Sequence, residues 1–285
     1  METSTKNSLH IRSNSFPSAP HPLVSQVHDH LQILKDSEVT TASFSLSSIS
    51  QKLNGLQDLL EFADKLLQLP TIQQDLASEC SEKWIDDLLE GSLRLLDICG
   101  IAQDYLLQSK ENMYEIRSAL RRKGADSGFT VEGGKYLASR KKMKKAIHKA
   151  LGNLKGIKFE SNKDKEVFSV FSILKDAEAI TMSSLESLLL FISDPKGQSK
   201  QNKWSRISKL MQPAKVTCAS QESDSNEFVN VDEALRSLIS YKSSEDFDRH
   251  VEDLEICIQD LEVRVEQLSR QLIRTRVSLL NILSH

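Results

Sequence analysis

The amino-acid sequence predicts an all-α protein, an elongated multi-helix bundle with long coiled-coil-like helices and a disordered N-terminal tail. Apolar residues recur at alternating steps of three and four along most of the chain, and this spacing places them on one face of a helix. The 285 residues include only ten glycines and six prolines, too few for a protein rich in hairpins or sandwich turns. With 39% hydrophobic and 27% charged residues, the chain has the composition of a folded soluble protein.

Residues 1–22 are predicted to form a disordered tail, because they are rich in serine, proline and other polar residues and lack apolar periodicity. Within the tail, Arg12, Ser13, Ser15 and Pro17 have the arrangement R-S-x-S-x-P. Proteins of the 14-3-3 class favour this arrangement once its second serine is phosphorylated, since a dianionic phosphate fits their arginine pocket. The tail is therefore either a candidate phosphorylation and docking site or an unmodified flexible end.

The remaining residues, 23–285, are predicted to form one helical domain with a flexible acidic linker near 213–227. Apolar periodicity predicts helices at about 43–69, 85–123, 134–155, 163–193, 230–241 and 251–282. The second of these would be about 60 Å long at 1.5 Å per residue, and it contains Gly91 and Gly100. Each glycine permits either a kink or the close approach of a neighbouring helix.

The last helix carries the strongest pattern, with suitable side chains at successive a and d positions of five heptads. These positions are Val251, Leu254, Ile258, Leu261, Val265, Leu268, Leu272, Thr275, Leu279 and Ile282, of which only Thr275 is not apolar. Further apolar residues widen the surface beyond a two-stranded seam: Ile256, Val263, Ile273, Val277, Leu280 and Leu283. We therefore expect several neighbouring helices to cover this helix within a bundle, in preference to a free dimeric coiled coil.

No motif in the sequence indicates an enzyme, since a nucleophile elbow, a phosphate-binding loop and a metalloprotease helix are all absent. Four glycines placed in one loop lack the phosphate-loop spacing: Gly124, Gly128, Gly133 and Gly134. His28 and His30 point to different sides of a helix, which makes a shared metal ion difficult. Asp246 and His250 share a helical face, a pattern more typical of a surface ion pair than of a catalytic dyad. We predict no catalytic, cofactor-binding or metal-binding residues.

The sequence carries no signal for secretion or membrane insertion. No apolar run approaches the ~18 residues of a membrane span, and the N-terminus lacks an apolar signal core and a myristoylation glycine. The wide spacing of Cys80, Cys99, Cys218 and Cys257 argues against a zinc site or a disulfide framework, so reduced thiols are expected. We expect a cytoplasmic protein, with a nuclear or peripherally membrane-associated location as alternatives.

A basic cluster lies between Arg121 and Lys158, where twelve basic residues accompany two acidic ones. It includes an amphipathic helix whose apolar residues are Met143, Ala146, Ile147, Ala150, Leu151 and Leu154. The candidate basic contact surface consists of Arg140, Lys141, Lys142, Lys144, Lys145 and Lys149. It is either a solvated exterior over a buried apolar face or a contact for anionic lipid, calmodulin, another acidic protein or the nuclear import machinery. Nucleic-acid binding is disfavoured, because aromatic residues for base stacking are absent from 143–154.

Three segments resemble the plant-specific BYPASS-related family, which is defined by a domain of unknown function. The segments are His10 to Ser18 with His21-Pro22-Leu23 at the front, Trp84 to Tyr105, and Leu254 to His285. The resemblance implies an all-helical domain from about Pro22 to His285, a role in root and shoot development and no established enzymatic activity. The resemblance supplies no mechanism and no site residues. Some relatives are thought to associate with membranes, and for this chain that implies at most peripheral attachment.

The residues and the resemblance together predict a non-catalytic regulatory or scaffolding protein that acts through protein–protein contacts, with the tail and the basic helix as contact sites. The alternative is a peripheral membrane protein attached through the basic amphipathic helix. An unrecognised hydrolase, the third hypothesis, would need a pocket with convergent titratable groups. No small-molecule substrate and no cofactor are inferred.

We expect Ser15→Ala to abolish the binding of a 14-3-3 protein to the phosphorylated chain in a pull-down, because the substitution removes the hydroxyl that carries the phosphate. Ser4→Ala changes a serine outside the R-S-x-S-x-P arrangement and should leave binding unchanged. Equal binding by the two variants would contradict the docking hypothesis.

Overall fold

The computed structural model describes residues 21–40, 45–79, 82–122, 127–155, 170–193, 226–241 and 246–283. Over these ranges the chain forms eight α-helices and no β-strand, which confirms the all-α multi-helix fold. The helices are α1 (Pro22–Thr40), α2 (Leu46–Leu67), α3 (Pro70–Glu79), α4 (Glu82–Arg122), α5 (Ser127–Lys155), α6 (Val170–Ser193), α7 (Glu227–Tyr241) and α8 (Phe247–Leu283). No helix in this described part has an apolar stretch of the length that crossing a membrane requires.

Helix α8 packs antiparallel against α4, and this pair forms the centre of the bundle. The Lys110–Glu262 ion pair joins the two helices at 2.7 Å, and the Arg117–Glu255 ion pair joins them seven residues further along. Seven residues correspond to about two turns on each helix. Because the residue numbers rise on α4 and fall on α8 between the two pairs, the helices run in opposite directions.

On its other edge α8 packs parallel to α2. The Ser50 hydroxyl donates to Asp260 Oδ2 at 2.7 Å, and the Ser278 hydroxyl donates to Asp64 Oδ1 at 2.8 Å. Hydrogen bonds from Arg264 hold the pKa of the Asp260 carboxyl below its usual value. Helices α2 and α4 therefore enclose the inner side of α8 from both edges.

The heptad prediction for α8 is confirmed at all ten a and d positions, each of which is buried. The polar member, Thr275, donates its hydroxyl to the Gln271 carbonyl oxygen at 3.1 Å, so its burial leaves no unpaired donor. Five of the further apolar residues are instead exposed: Ile256, Val263, Ile273, Val277 and Leu280. The expectation that neighbouring helices cover them is wrong, because the described helices that pack on α8, chiefly α2, α4 and α7, leave these five side chains in solvent.

The long helix predicted over 85–123 is also confirmed, and α4 is continuous through both of its glycines. Its predicted apolar stripe is buried from Ile85 to Ile116, and Leu120 is partly buried. The stripe includes Ser109, whose hydroxyl donates to the Tyr105 carbonyl oxygen at 2.7 Å. A serine on the buried stripe thus meets its hydrogen-bonding need within its own helix.

Helix α1 has no counterpart among the predicted helices. It begins at Pro22, which we had assigned to the tail, and proline is favoured at the first position of a helix. The helix packs antiparallel on α2, with Leu34 against Gly55 and the His30 ring centroid 4.8 Å from the Phe62 ring centroid. Helix α3, which follows the predicted stop at Pro70, was likewise not predicted.

Helices α5 and α7 both begin earlier than predicted. Helix α5 starts at Ser127, so Gly133 and Gly134 lie inside it, and their placement in a loop is wrong. Helix α7 starts inside the predicted linker, where the Asn226 side chain caps it by accepting a hydrogen bond from the Val229 N–H at 3.1 Å. The tail through residue 20, residues 163–169 and the linker at 213–225 lie outside the described residues.

Helix α6 packs parallel to α4 on the side away from α8. The Trp84 and Phe171 rings stack with centroids 4.8 Å apart, and Lys175 Nζ donates to the Asp87 carbonyl oxygen at 3.3 Å. One turn further along, Gly91 faces the buried carboxylate of Glu178. Helix α6 thereby closes the side of α4 that α8 does not reach.

Close approach of a neighbouring helix explains Gly91 but not Gly100. A Cβ atom added at Gly91 would overlap the Glu178 carboxylate, which is held by Lys175 at 2.9 Å and by Arg94 at 3.5 Å. A Cβ atom added at Gly100 would have no such neighbour within 4 Å. The absence of a side chain at Gly91 makes room for a buried, doubly paired carboxylate.

We expect Gly91→Ala to lower the free energy of unfolding by about 1–3 kcal/mol, because overpacking displaces the Glu178 carboxylate from its cations. The matched control Gly100→Ala should raise it by up to about 1 kcal/mol, since alanine is the better helix former and meets no obstacle. Urea denaturation followed by circular dichroism measures both values. A Gly91→Ala protein as stable as the Gly100→Ala protein would contradict this account of α4.

Candidate interaction surface

Four lysines form an exposed basic surface on α5, which we call the lysine stripe: Lys141, Lys142, Lys145 and Lys149. The opposite side of the helix buries Met143, Ile147 and Leu151, as predicted for an apolar face. Ala150 is partly buried, whereas Ala146 is exposed and does not belong to that face. Among the described acidic side chains, none forms an ion pair with a lysine of the stripe. The stripe therefore presents four cationic groups to solvent.

Arg140 does not belong to this surface, so its assignment to the candidate basic contact surface is wrong. Its side chain is 1% exposed, and its Nε donates to Asp232 Oδ1 at 3.2 Å. The guanidinium also lies over the Phe228 ring, 4.9 Å from the centroid. Arg140 is buried because its position on α5 faces the core and an aspartate of α7 balances its charge there.

Lys144 occupies an intermediate place between the stripe and the core. Its side chain is only partly exposed, and its Nζ lies 3.4 Å from Asp232 Oδ2. One turn before Arg140, Tyr136 is buried beside the same aspartate, and burial raises the pKa of its phenol. We call the group formed by Tyr136, Arg140, Lys144, Asn226 and Asp232 the Arg140 cluster.

The Arg140 cluster joins the end of α6 to α5 and α7. Arg140 Nη1 donates to the Ile192 carbonyl oxygen and Asn226 Nδ2 donates to the Phe191 carbonyl oxygen, both at 2.8 Å. These carbonyl groups belong to the last turn of α6, and the last carbonyl groups of an α-helix have no hydrogen-bond donor within the helix itself. The Phe191 and Phe228 rings pack edge to face beside them, with centroids 6.0 Å apart. The cluster therefore fixes the direction in which α5 presents the lysine stripe.

The sequence itself carries a signal for the burial of Arg140. Tyr136, Arg140, Met143, Ile147 and Leu151 follow one another at steps of four and three, so the arginine lies on the apolar stripe. The identity of its partner had no comparable signal, because Asp232 is 92 residues away and belongs to another helix. Membership of the apolar stripe predicts burial, but it does not reveal the group that compensates a buried charge.

Within the described ranges, which exclude Cys80 and Cys218, the other reactive side chains do not assemble into a site. Burial raises the pKa of the Cys99 thiol to about 11 and also raises that of Cys257, so both thiols stay protonated at neutral pH. His30 packs against an aromatic ring of α2, and Asp246 and His250 are joined by the helical backbone hydrogen bond. In the described ranges, no three histidine, cysteine or acidic side chains are arranged to hold a metal ion.

A family model described as Protein BPS1 matches residues 52–282 of this chain. The match extends from α2 to α8 and includes both the lysine stripe and the Arg140 cluster. No curated protein and no solved structure matches the chain. The tail that carries the R-S-x-S-x-P arrangement lies before the matched residues.

We expect Arg140→Met to lower the free energy of unfolding by about 3–5 kcal/mol, because it leaves Asp232 buried and without its arginine. The double variant Arg140→Met, Asp232→Leu should lose less than the sum of the two single variants, since the buried cation and the buried carboxylate are removed together and only the partly exposed Lys144 loses a partner. Lys142→Met, an exposed change on the same helix, is the control and should have little effect. Additive losses in the double variant, measured by urea denaturation, would contradict the pairing.

Proposed function

Because the chain belongs to the BPS1 family, we propose that it is a non-catalytic regulatory or scaffolding protein that acts through contacts with other proteins. The sequence resemblance to BYPASS-related proteins supports a setting in plant root and shoot development. The exposure of four lysines on one helix, none of them paired with a described acidic side chain, is the observation that carries the proposal. A surface of this kind suits a partner with an acidic face.

The lysine stripe is the principal contact site in this proposal. Its lysines are held on a helix whose opposite side is committed to the core, so the stripe needs no rearrangement before it binds. Exposed charges accelerate encounter with a partner of opposite charge and make the contact sensitive to salt. The phosphorylated tail around Ser15 would add a second contact, for a 14-3-3 protein, in a segment outside the bundle.

Attachment to an anionic membrane is the second candidate, and the structure limits the form that it takes. An amphipathic helix usually binds lipid by inserting its apolar face, but Met143, Ile147 and Leu151 of α5 are buried in the bundle. Lipid binding through α5 would therefore rest on lysine charges alone, which attract an anionic leaflet by about 1 kcal/mol each. The same burial disfavours a calmodulin complex, since these side chains would be its anchors.

Proximity labelling in plant tissue tests the protein contact. The variant Lys141→Glu, Lys142→Glu, Lys145→Glu, Lys149→Glu should lose most of the neighbours that the unmodified protein labels, because it reverses the charge of the stripe. The control variant makes the same change at two exposed lysines outside the stripe whose ion pairs lie within a single helix, Lys65 and Lys135. It should retain those neighbours, since the ion pairs that it breaks are exposed and contribute little stability.

Liposome flotation separates the two candidates. Under the leading proposal the purified protein does not float with phosphatidylserine vesicles at physiological salt. Flotation that disappears at high salt and in the stripe variant, but persists in the control variant, would instead establish membrane attachment. Identical labelling by the stripe variant and the unmodified protein would contradict both candidates.

A further inference from the structure

A second exposed surface lies on α4 and α8 and is apolar. It consists of Leu93, Leu107 and Tyr114 on α4 together with Ile256, Val263, Ile273, Val277 and Leu280 on α8, with exposures between 44% and 74%. Single exposed apolar residues are ordinary on soluble proteins, but eight large ones on two adjacent helices are not. We call this surface the α4–α8 face.

The ion pairs between the two helices show that these residues form one face. Leu107 lies one turn before Lys110, and Val263 immediately follows its partner Glu262. In the same way, Tyr114 lies one turn before Arg117, and Ile256 immediately follows Glu255. Apolar side chains of the two helices therefore flank the same ion pairs on the outer side of the bundle. The face continues along both helices towards Leu93 and Val277.

The dimensions of the α4–α8 face suit a dimer interface. At 1.5 Å per residue it extends about 36 Å along α8 and about 32 Å along α4. Two packed helices are roughly 20 Å wide together, since their axes lie about 8–10 Å apart. The resulting area is on the order of 700 Å², close to the ~800 Å² that each partner contributes to a stable interface of ordinary size.

The exposed charges of α8 indicate which partner fits. The beginning of the helix is net acidic, with Asp248, Glu252 and Asp253 against Arg249, and its later half is net basic, with Arg270 and Arg274 against Glu266. A second α8 laid antiparallel on the first brings the acidic part of each copy opposite the basic part of the other. The surface is thus complementary to itself under a two-fold rotation, as an isologous interface requires.

We propose that the α4–α8 face is the interface of a two-fold symmetric homodimer, in which the α8 helices of the two copies cross antiparallel near Val263. In this arrangement Val263 and Leu107 lie at the centre and Asp253 faces Arg274 of the second copy. An apolar centre with a charged rim is the usual organisation of a specific interface. This surface is separate from the lysine stripe, so the dimer leaves that stripe free.

The mass of the full chain in solution tests the dimer. Analytical ultracentrifugation from about 1 to 100 µM, a range chosen for an interface of this modest size, should show a species of twice the 32.1 kDa chain mass. Val263→Glu should raise the dimer dissociation constant at least tenfold, because it places two like charges at the two-fold axis. Ile33→Glu changes an apolar residue on α1 that is at least as exposed as Val263 and should leave the constant unchanged.

Charge reversal tests the antiparallel arrangement. Asp253→Arg and Arg274→Asp should each weaken the dimer severalfold, because each creates a repulsive pair across the interface. The two substitutions combined in one chain should restore the original dissociation constant to within about threefold, since every pair is again one of opposite charge.

Three results would overturn the proposal. A mass of 32.1 kDa at every concentration would exclude the dimer, and would leave the face to another partner or to residues of this chain outside the described ranges. A dimer weakened equally by Val263→Glu and Ile33→Glu would place the interface elsewhere. Failure of the combined charge reversal to restore a dimer that both single reversals weaken would exclude the antiparallel crossing.

Discussion

Burial of the α8 heptad stripe between α2 and α4 is the constraint on which the rest of the structure depends. The heptad residues bury the inner side of α8 in the core. Polar contacts with α2 fix one edge of α8, and ion pairs with α4 fix the other. What remains of α8 is an outer side that the described helices do not cover. The exposed apolar residues of α8 therefore lie on the exterior of the bundle. The described helices need no rearrangement to expose them.

The two exposed surfaces suit different kinds of contact. The lysine stripe on α5 consists of hydrated, mobile cations, which favour fast encounter and salt-sensitive binding. The α4–α8 face offers rigid apolar side chains, whose burial releases water and favours longer-lived association. A dimer formed through the α4–α8 face would carry two lysine stripes. A partner that binds both stripes at once would bind more tightly than a partner that binds one, although each stripe makes the same contacts.

Sequence periodicity predicted which residues of α2, α4 and α8 are buried, because steps of three and four report directly on the inner side of a helix. It also predicted the lysine face of α5. It did not predict the environment of Arg140, since the pattern separates apolar from polar residues and does not anticipate a charged residue paired within the core. Nor did it show whether the apolar residues outside the heptad positions stay uncovered: Val263 lies outside those positions, and only the placement of the neighbouring helices decides that it is exposed.

Helix α1 lies before the residues that the family model matches, yet it is part of the folded core. Val27, Leu31 and Leu34 are buried, and Lys35 forms an ion pair with Asp176 of α6. The span of the family match is therefore shorter than the unit that buries the apolar sides of α2 and α6. A fragment trimmed to residue 52 would leave those sides in water, and its poor solubility would say nothing about the intact protein.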